Sequence, residues 1–388
     1  MSRHNNFDSH LTRRSWMVLA AAAASGCGGG SGVSTASSPG TGGTGIYAQG
    51  SISGFGSVIV NGIKFDDLQA SANGLIQMDG VKATSVDLRL GMVASVQGER
   101  SVVTTLVTAN NIDVWSIAQG LVTQPLPGEF KVTGMTVQTD SATVLEGISP
   151  AAPLSMGMRV IVWGLQAGAD GNHWRATRVA VVPATDTTVV STGLINVVSA
   201  QRYLNGLLLT GSTAGNLTAG ALVRVQGTLS FAGDSLEVAS FKVQGLGVGV
   251  QPQGEAEIEG LVTATPSTTR FMLGNVEVDA SSASFSRASA QITVGARIAV
   301  NGTWQGQVLK AANVEFEDAL TLLEVEMEAP IEQYTSLANF MVRGQRCDAT
   351  GVAVSQGTLS QLGVGVKVKL KGTMAGDVLR VTELELDN

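Results

Sequence analysis

The sequence predicts an all-β chain: five tandem small barrel-like repeats of about 65–70 residues behind a disordered N-terminal tether, an OB-like barrel being one candidate. Three observations predict it. A glycine is followed seven residues later by another at Gly91/Gly98, Gly157/Gly164, Gly220/Gly227, Gly295/Gly302 and Gly365/Gly372. The segments between them alternate apolar and polar, as Met158, Val160 and Val162 do, which is the period of a half-buried strand. No stretch carries the 3.6-residue apolar period of a three-turn helix. Successive first glycines lie 66, 63, 75 and 70 residues apart, so the repeat overrides the two or three domains that 388 residues alone suggest.

The chain opens on an address. Residues 1–26 read as an export signal: Arg3, Arg13 and Arg14 precede a short apolar stretch from Trp16 to Ala24. Ala24-Ser25-Gly26-Cys27 resembles the lipobox of bacterial lipoproteins, with alanine where leucine is usual. That resemblance implies a diacylated Cys27 as the mature N-terminus, and two acyl chains anchor where one does so only marginally. The alternative is an ordinary signal peptide with an incidental cysteine. Thr12-Arg13-Arg14-Ser15-Trp16-Met17 looks like a twin-arginine export motif, and equally like ordinary signal-peptide charge. Gly28 stands where an aspartate favours inner-membrane retention in such lipoproteins, so the expected location is the outer membrane of a bacterial envelope. Residues 27–45 form the tether, rich in glycine and serine, with a flexible reach of roughly 20–25 Å. An acylated Cys27 leaves Cys347 as the one free thiol, and no intramolecular disulfide.

The repeats are expected at residues 46–116, 117–185, 186–250, 251–320 and 321–388. Each begins with a strand around a small residue: AQGSIS, AQGLVT, STGLIN, IEGLVT and MEAPIE. A tight hairpin follows. Asn61-Gly62 supplies the two positive φ values of a type I′ turn, and Thr133-Gly134, Thr210-Gly211, Gly274-Asn275 and Arg343-Gly344 are assigned the same place. The Gly-x6-Gly strand and a closing strand (ANNIDV, ATRVAV, VASFKV, AANVEF, VTELEL) complete the unit. From hairpin to Gly-x6-Gly strand the spacing is 29, 23, 9 and 21 residues in repeats one, two, three and five, which marks a surface loop. Units this small bury little surface, so neighbours are expected to pack and to share strands.

GSISGFGSVIVNGIKFD followed by LRLGMVASVQG resembles the repeated module of domain of unknown function 5666. The resemblance covers roughly residues 46–388 and is weak in the third repeat. The fifth departs by placing Ala329-Pro330 where the others have Gly-Leu or Gly-Ser. Such modules recur in exported bacterial proteins, often behind a lipobox and tether. The family has no established reaction or ligand, so the resemblance implies layout and location only.

Composition narrows the function. A net charge of −7 and a pI near 5.1 argue against a nucleic-acid partner, which calls for a basic footprint. With 44% hydrophobic and 14% charged residues the chain can bury cores. His173 is the only histidine beyond the export signal, and no Gly-x-Ser-x-Gly elbow accompanies it, so no catalytic residue is assigned and no cofactor is expected. Cys347 occupies the repeat position of Phe65, Val137 and Val278, which makes it a buried structural thiol.

Two acidic strands stand out. Glu255, Glu257 and Glu259 alternate, as do Glu324, Glu326 and Glu328 at matching positions of the next repeat. A solvated acidic face is the first reading; a Ca²⁺ site from the two trios is the second. Trp115, Trp163, Trp174 and Trp304 are candidates for stacking on sugars, with Trp163 and Trp304 placed at outward-facing or strand-end positions.

The expectation is therefore a non-catalytic envelope lipoprotein: a structural, scaffolding or ligand-binding body. Its partners are the membrane, through the acyl anchor, and an envelope protein or polysaccharide. The alternatives are an envelope polysaccharide hydrolase and a calcium- or carbohydrate-binding module.

Overall fold

Among the described residues strand follows strand from Gly45 to Leu386, with turns, one five-residue helix (Leu68–Ala72) and three 3-10 turns between them. The structure is a computed structural model, and it describes residues 45–100, 107–244, 254–267, 269–287, 292–317 and 323–387. The export signal, Cys27 and the tether up to residue 44 lie outside the described residues.

Each repeat is a five-stranded barrel closed on itself. In the first, the opening strand Gly45–Phe55 pairs antiparallel with both the first hairpin strand Val58–Val60 and the fourth strand Val93–Arg100. The second hairpin strand Ile63–Asp66 pairs parallel with the closing strand Val107–Val114, and the fourth and closing strands pair antiparallel. The order 1-2-3-5-4-1 leaves no edge along the barrel wall, and it is the OB-like Greek key anticipated from the repeat. The same five pairings recur in every other repeat, with opening strands Ala118–Leu126, Val189–Val198, Glu255–Ala264 and Glu324–Ser336.

The two glycines of the recurring pair do different work. The first has a positive φ in all five barrels, from +75° at Gly220 to +87° at Gly295. It turns the chain into the fourth strand, and its N–H donates to the opening strand, as Gly295 does to the Val262 carbonyl at 2.7 Å. The second sits on a β-bulge where fourth and closing strands cross. A Cβ at Gly302 would stand 2.1 Å from the Lys310 carbonyl oxygen, and the other four positions are as tight against backbone. A seven-residue spacing is thus one turn, one strand and one bulge.

The third hairpin differs from expectation. Asn205 (φ +52°) and Gly206 (φ +84°) form the turn between Gln201–Leu204 and Leu207–Thr210, whereas Thr210-Gly211 ends the third strand. Asn-Gly satisfies both positive φ positions, so it wins over Thr-Gly. The variable connection carries structure of its own: in barrels one, two, four and five a short strand (Ile76–Met78, Val144–Glu146, Ser284–Phe285, Val354–Ser355) runs parallel to the closing strand.

The barrels do not associate in sequence order. The opening strand of barrel one is longer than its barrel partners, which leaves a stretch of each edge unpaired. Ile46–Gln49 pairs parallel with Glu255–Ile258 of barrel four, and Gly54 and Phe55 pair parallel with Glu326 and Met327 of barrel five. Exposed backbone groups at a sheet edge must find partners, and strands of sister repeats supply them. The cores of barrels one and five merge into one cluster that includes Phe55, Phe65, Met327 and Phe340. Barrels two, three and four keep separate cores around Phe130, Leu204 and Phe271.

Barrel two meets its neighbours through a strand pairing at Gln119 and Val190, through Val144, Trp163 and Ala180 in the barrel one and five core, and through polar contacts. The buried Arg178 donates to the Leu90 carbonyl of barrel one at 2.9 Å and pairs with Glu146. The Thr133 hydroxyl donates to the Val190 carbonyl of barrel three, and the Ser191 hydroxyl donates back to the Thr133 carbonyl.

Candidate functional site

The sequence candidates separate once placed. Glu257 and Glu259 are 6% and 8% exposed, so their strand is not a solvated acidic face. The barrel-one strand at Ile46–Gln49 covers one side of it, burying residues that alternation alone puts outside. Glu259 accepts from Arg297 Nε at 2.7 Å. Burial pushes its carboxyl up, but the Arg297 charge and the Ser51 hydrogen bonds more than offset this and hold it below the ordinary glutamate value. Glu255 pairs with Arg100, Glu326 with Lys64, and Glu328 with Lys367. The opening strand of barrel one runs between the two acidic strands and keeps the trios apart; Glu324 is exposed at the far end of its strand. Among the described residues no group of three His, Cys, Asp or Glu converges as a metal site.

Trp163 is 3% exposed and faces the shared core of barrels one and five rather than solvent. The ring points out of its own barrel, as alternation expects, but a sister barrel covers it, so it is not free to stack on a ligand. Trp304 is half-buried against the core of barrel four. His173 is exposed at the start of its strand, with Nδ1 2.7 Å from Asp170. Cys347 is fully buried opposite Phe340, in the same column as Phe65, Val137 and Val278, and burial pushes its thiol up to about 12.

A different place gathers unspent polar groups. A cavity of about 160 Å³ lies where barrels one to four meet. Barrel one contributes Asn111 and Asp113, which alternate with the buried Ile112 and Val114 on its closing strand and so face away from its core. Trp115 follows directly. Lys242, on the closing strand of barrel three, places its ammonium 3.5 Å from the centre of the Trp115 ring, and the Arg224 guanidinium lies 5.3 Å from it. Such stacking on an indole is favourable by about 0.5–2 kcal/mol according to burial. The Trp115 indole N–H is buried and has no acceptor among the described residues.

Around this centre the groups are ordered by hydrogen bonds. Asn111 donates to Asp113 at 2.8 Å. The Tyr47 hydroxyl donates to Gln49 at 2.9 Å, and burial pushes it up to about 12, so it stays protonated. Arg224 donates to the Ser116 carbonyl and hydroxyl and pairs with Asp79 at 2.9 Å. Burial lowers Lys242 below the usual lysine value, partly offset by Asp113. On the rim, the exposed Asn275 of barrel four reaches the Gln244 carbonyl of barrel three at 3.4 Å.

Sequence reasoning named Trp115 among four tryptophans but did not single it out. Asp113, Asn111 and Lys242 were missed. The first two carry a signal, being polar and outward on an alternating strand that ends in tryptophan. Lys242 has none, because no sequence period links barrel three to barrel one.

No curated protein matches the chain. Residues 119–180 and 259–315 match the family model described as Domain of unknown function (DUF5666). These stretches coincide with barrels two and four, from the opening strand to the closing strand. Two of the five barrels therefore match the DUF5666 model, and the other three repeat the same closed strand order.

Proposed function

We propose that the chain is a non-catalytic, ligand-binding protein of the bacterial cell envelope, anchored by acyl chains on Cys27 and carried on the tether that follows. The observation that carries the binding half is the cavity at the junction of four barrels, whose lining sets a lysine, a carboxylate and an amide from Lys242, Asp113 and Gln97 beside apolar side chains. Sites at domain junctions are a common place for small-molecule recognition. The anchoring half rests on Ala24-Ser25-Gly26-Cys27, and Gly28 favours the outer membrane.

Both halves are tested in cells. The wild-type chain is expected in the outer-membrane fraction and a Cys27→Ala variant in the soluble periplasm; equal fractionation of the two removes the anchor. A photo-crosslinking residue placed at Gln97, on the cavity wall, is expected to capture a small envelope component that the same residue at the exposed Leu68 does not. Identical capture at both positions removes the cavity as the binding place.

A further inference from the structure

The cavity also carries information about the chemistry of its occupant. Its size sets the first limit. About 160 Å³ is close to the ~150 Å³ that holds one benzene-sized ring, and about half the lower bound for drug-sized ligands. The occupant is a single ring or the end unit of a chain.

Charge sets the second. Lys242 and Asp113 put opposite signs on the same wall, and the other ionised groups nearby are already paired, Glu259 with Arg297 and Arg224 with Asp79. An anion entering the site meets Asp113, and a cation meets Lys242. Neither sign is favoured over the length of the cavity.

Hydrogen-bonding capacity sets the third. The Lys242 ammonium is a donor only, and the Asp113 carboxylate is an acceptor that Asn111 fills in part. The Gln97 amide on the same wall offers both. A hydroxyl donates one bond and accepts two, so neighbouring hydroxyls on one ring satisfy a wall of mixed donors and acceptors. Leu261, Leu273 and Val276 of barrel four also line the cavity and supply apolar surface suited to ring C–H groups.

Resting on the binding reading above, we propose that the cavity takes one uncharged polyhydroxylated ring: a neutral monosaccharide, free or as the end unit of a glycan. The experiment is titration calorimetry on the purified, Cys27→Ala full-length chain. The probes are glucose, galactose, mannose and N-acetylglucosamine, their di- and trisaccharides, and the charged counterparts glucuronic acid and glucosamine.

Saturable binding of a neutral sugar is expected. It should weaken about tenfold in Asp113→Asn, which keeps the shape and loses the charged acceptor, and by a similar factor in Gln97→Leu. Melting temperatures of the variants, measured alongside, separate loss of binding from loss of fold. A trisaccharide that binds as the monosaccharide does identifies an end unit; binding of the monosaccharide alone identifies a free sugar; both support the inference. A charged sugar that binds more tightly than every neutral one, still weakened by Gln97→Leu, overturns the ligand class while leaving the cavity as a binding site. No heat with any probe, together with unchanged capture at Gln97 when the cavity is filled from a second lining position by Gln166→Trp, overturns both.

Discussion

Glu259 of barrel four accepts two hydrogen bonds from Ser51 of barrel one, from its backbone N–H and from its hydroxyl, each at 3.1 Å. One carboxylate, paired on its other oxygen with Arg297, thus ties two repeats more than two hundred residues apart. Three of the predictions below concern such buried inter-repeat or strand-crossing contacts, and one a buried thiol.

Replacing Glu259 by Ala removes the carboxylate that Arg297 pairs with, leaving only the weaker influence of Glu317 and Asp140. Removing one partner of a buried pair typically costs about 3–5 kcal/mol, and urea unfolding should read a loss of that order. Glu259→Gln keeps an acceptor for Ser51 and should lose less. The pH dependence has a definite sign. The folded-state value lies below the ordinary 4.5, so the unfolded chain binds the proton more readily. The stabilisation is complete above 4.5 and drains away as pH falls below it through the folded value. The difference between wild type and Glu259→Gln should therefore shrink on acidification; a gap that widens below pH 4 contradicts the assignment.

The two glycines of each pair should respond differently to alanine. At Gly295 nothing lies within 4 Å of a new Cβ, so only the positive φ is penalised, by about 1–2 kcal/mol. At Gly302 the Cβ meets the Lys310 backbone at 2.1 Å, and the bulge itself must give. Overpacking of that kind costs about 1–3 kcal/mol or more, and backbone yields less readily than side chains. Thermal unfolding should rank Gly302→Ala below Gly295→Ala, and the reverse order would show that the bulge tolerates a methyl.

Arg224 of barrel three holds the Ser116 carbonyl and Asp79. Arg224→Met keeps the length and removes the donors. Stability should fall by about 1–3 kcal/mol, the cost of stranding buried acceptors. Amide exchange should rise locally at residues 116–119 and 189–192, while the core of barrel five keeps its protection. Uniform loss of protection would mean that the barrels unfold as one unit rather than separate at this contact.

Cys347 should be chemically silent. A thiol pushed up to about 12 and fully buried holds almost no thiolate at pH 8. In a Cys27→Ala variant, iodoacetamide should label Cys347 only after denaturant is added, as read by intact mass. Rapid labelling of the native chain would place the thiol at the surface.

The repeat, the strand count and the turns were legible because they are local. Positive-φ glycines, Asn61-Gly62 and period-2 alternation depend on a few neighbouring residues, and they located the five barrels and the Cys347 core column. The third hairpin was misplaced only because Asn205-Gly206 was passed over for Thr210-Gly211. The faces of the outer strands were another matter. Alternation tells which residues point away from their own barrel, not whether another barrel covers them. Glu257, Glu259 and Trp163 all point away from their own cores and are buried by sister repeats.

The sequence by itself determined the module: how a turn, a strand and a bulge recur, and which aliphatic residues fill each core. Only the tertiary structure decided that barrel one sits between barrels four and five, and that Asp113, Trp115 and Lys242 share a cavity. The reason is physical. A barrel closes through contacts within one repeat, which its own pattern encodes. Docking between repeats is settled by whichever unpaired edges and buried charges find partners across the whole chain, and no short-range pattern records that choice.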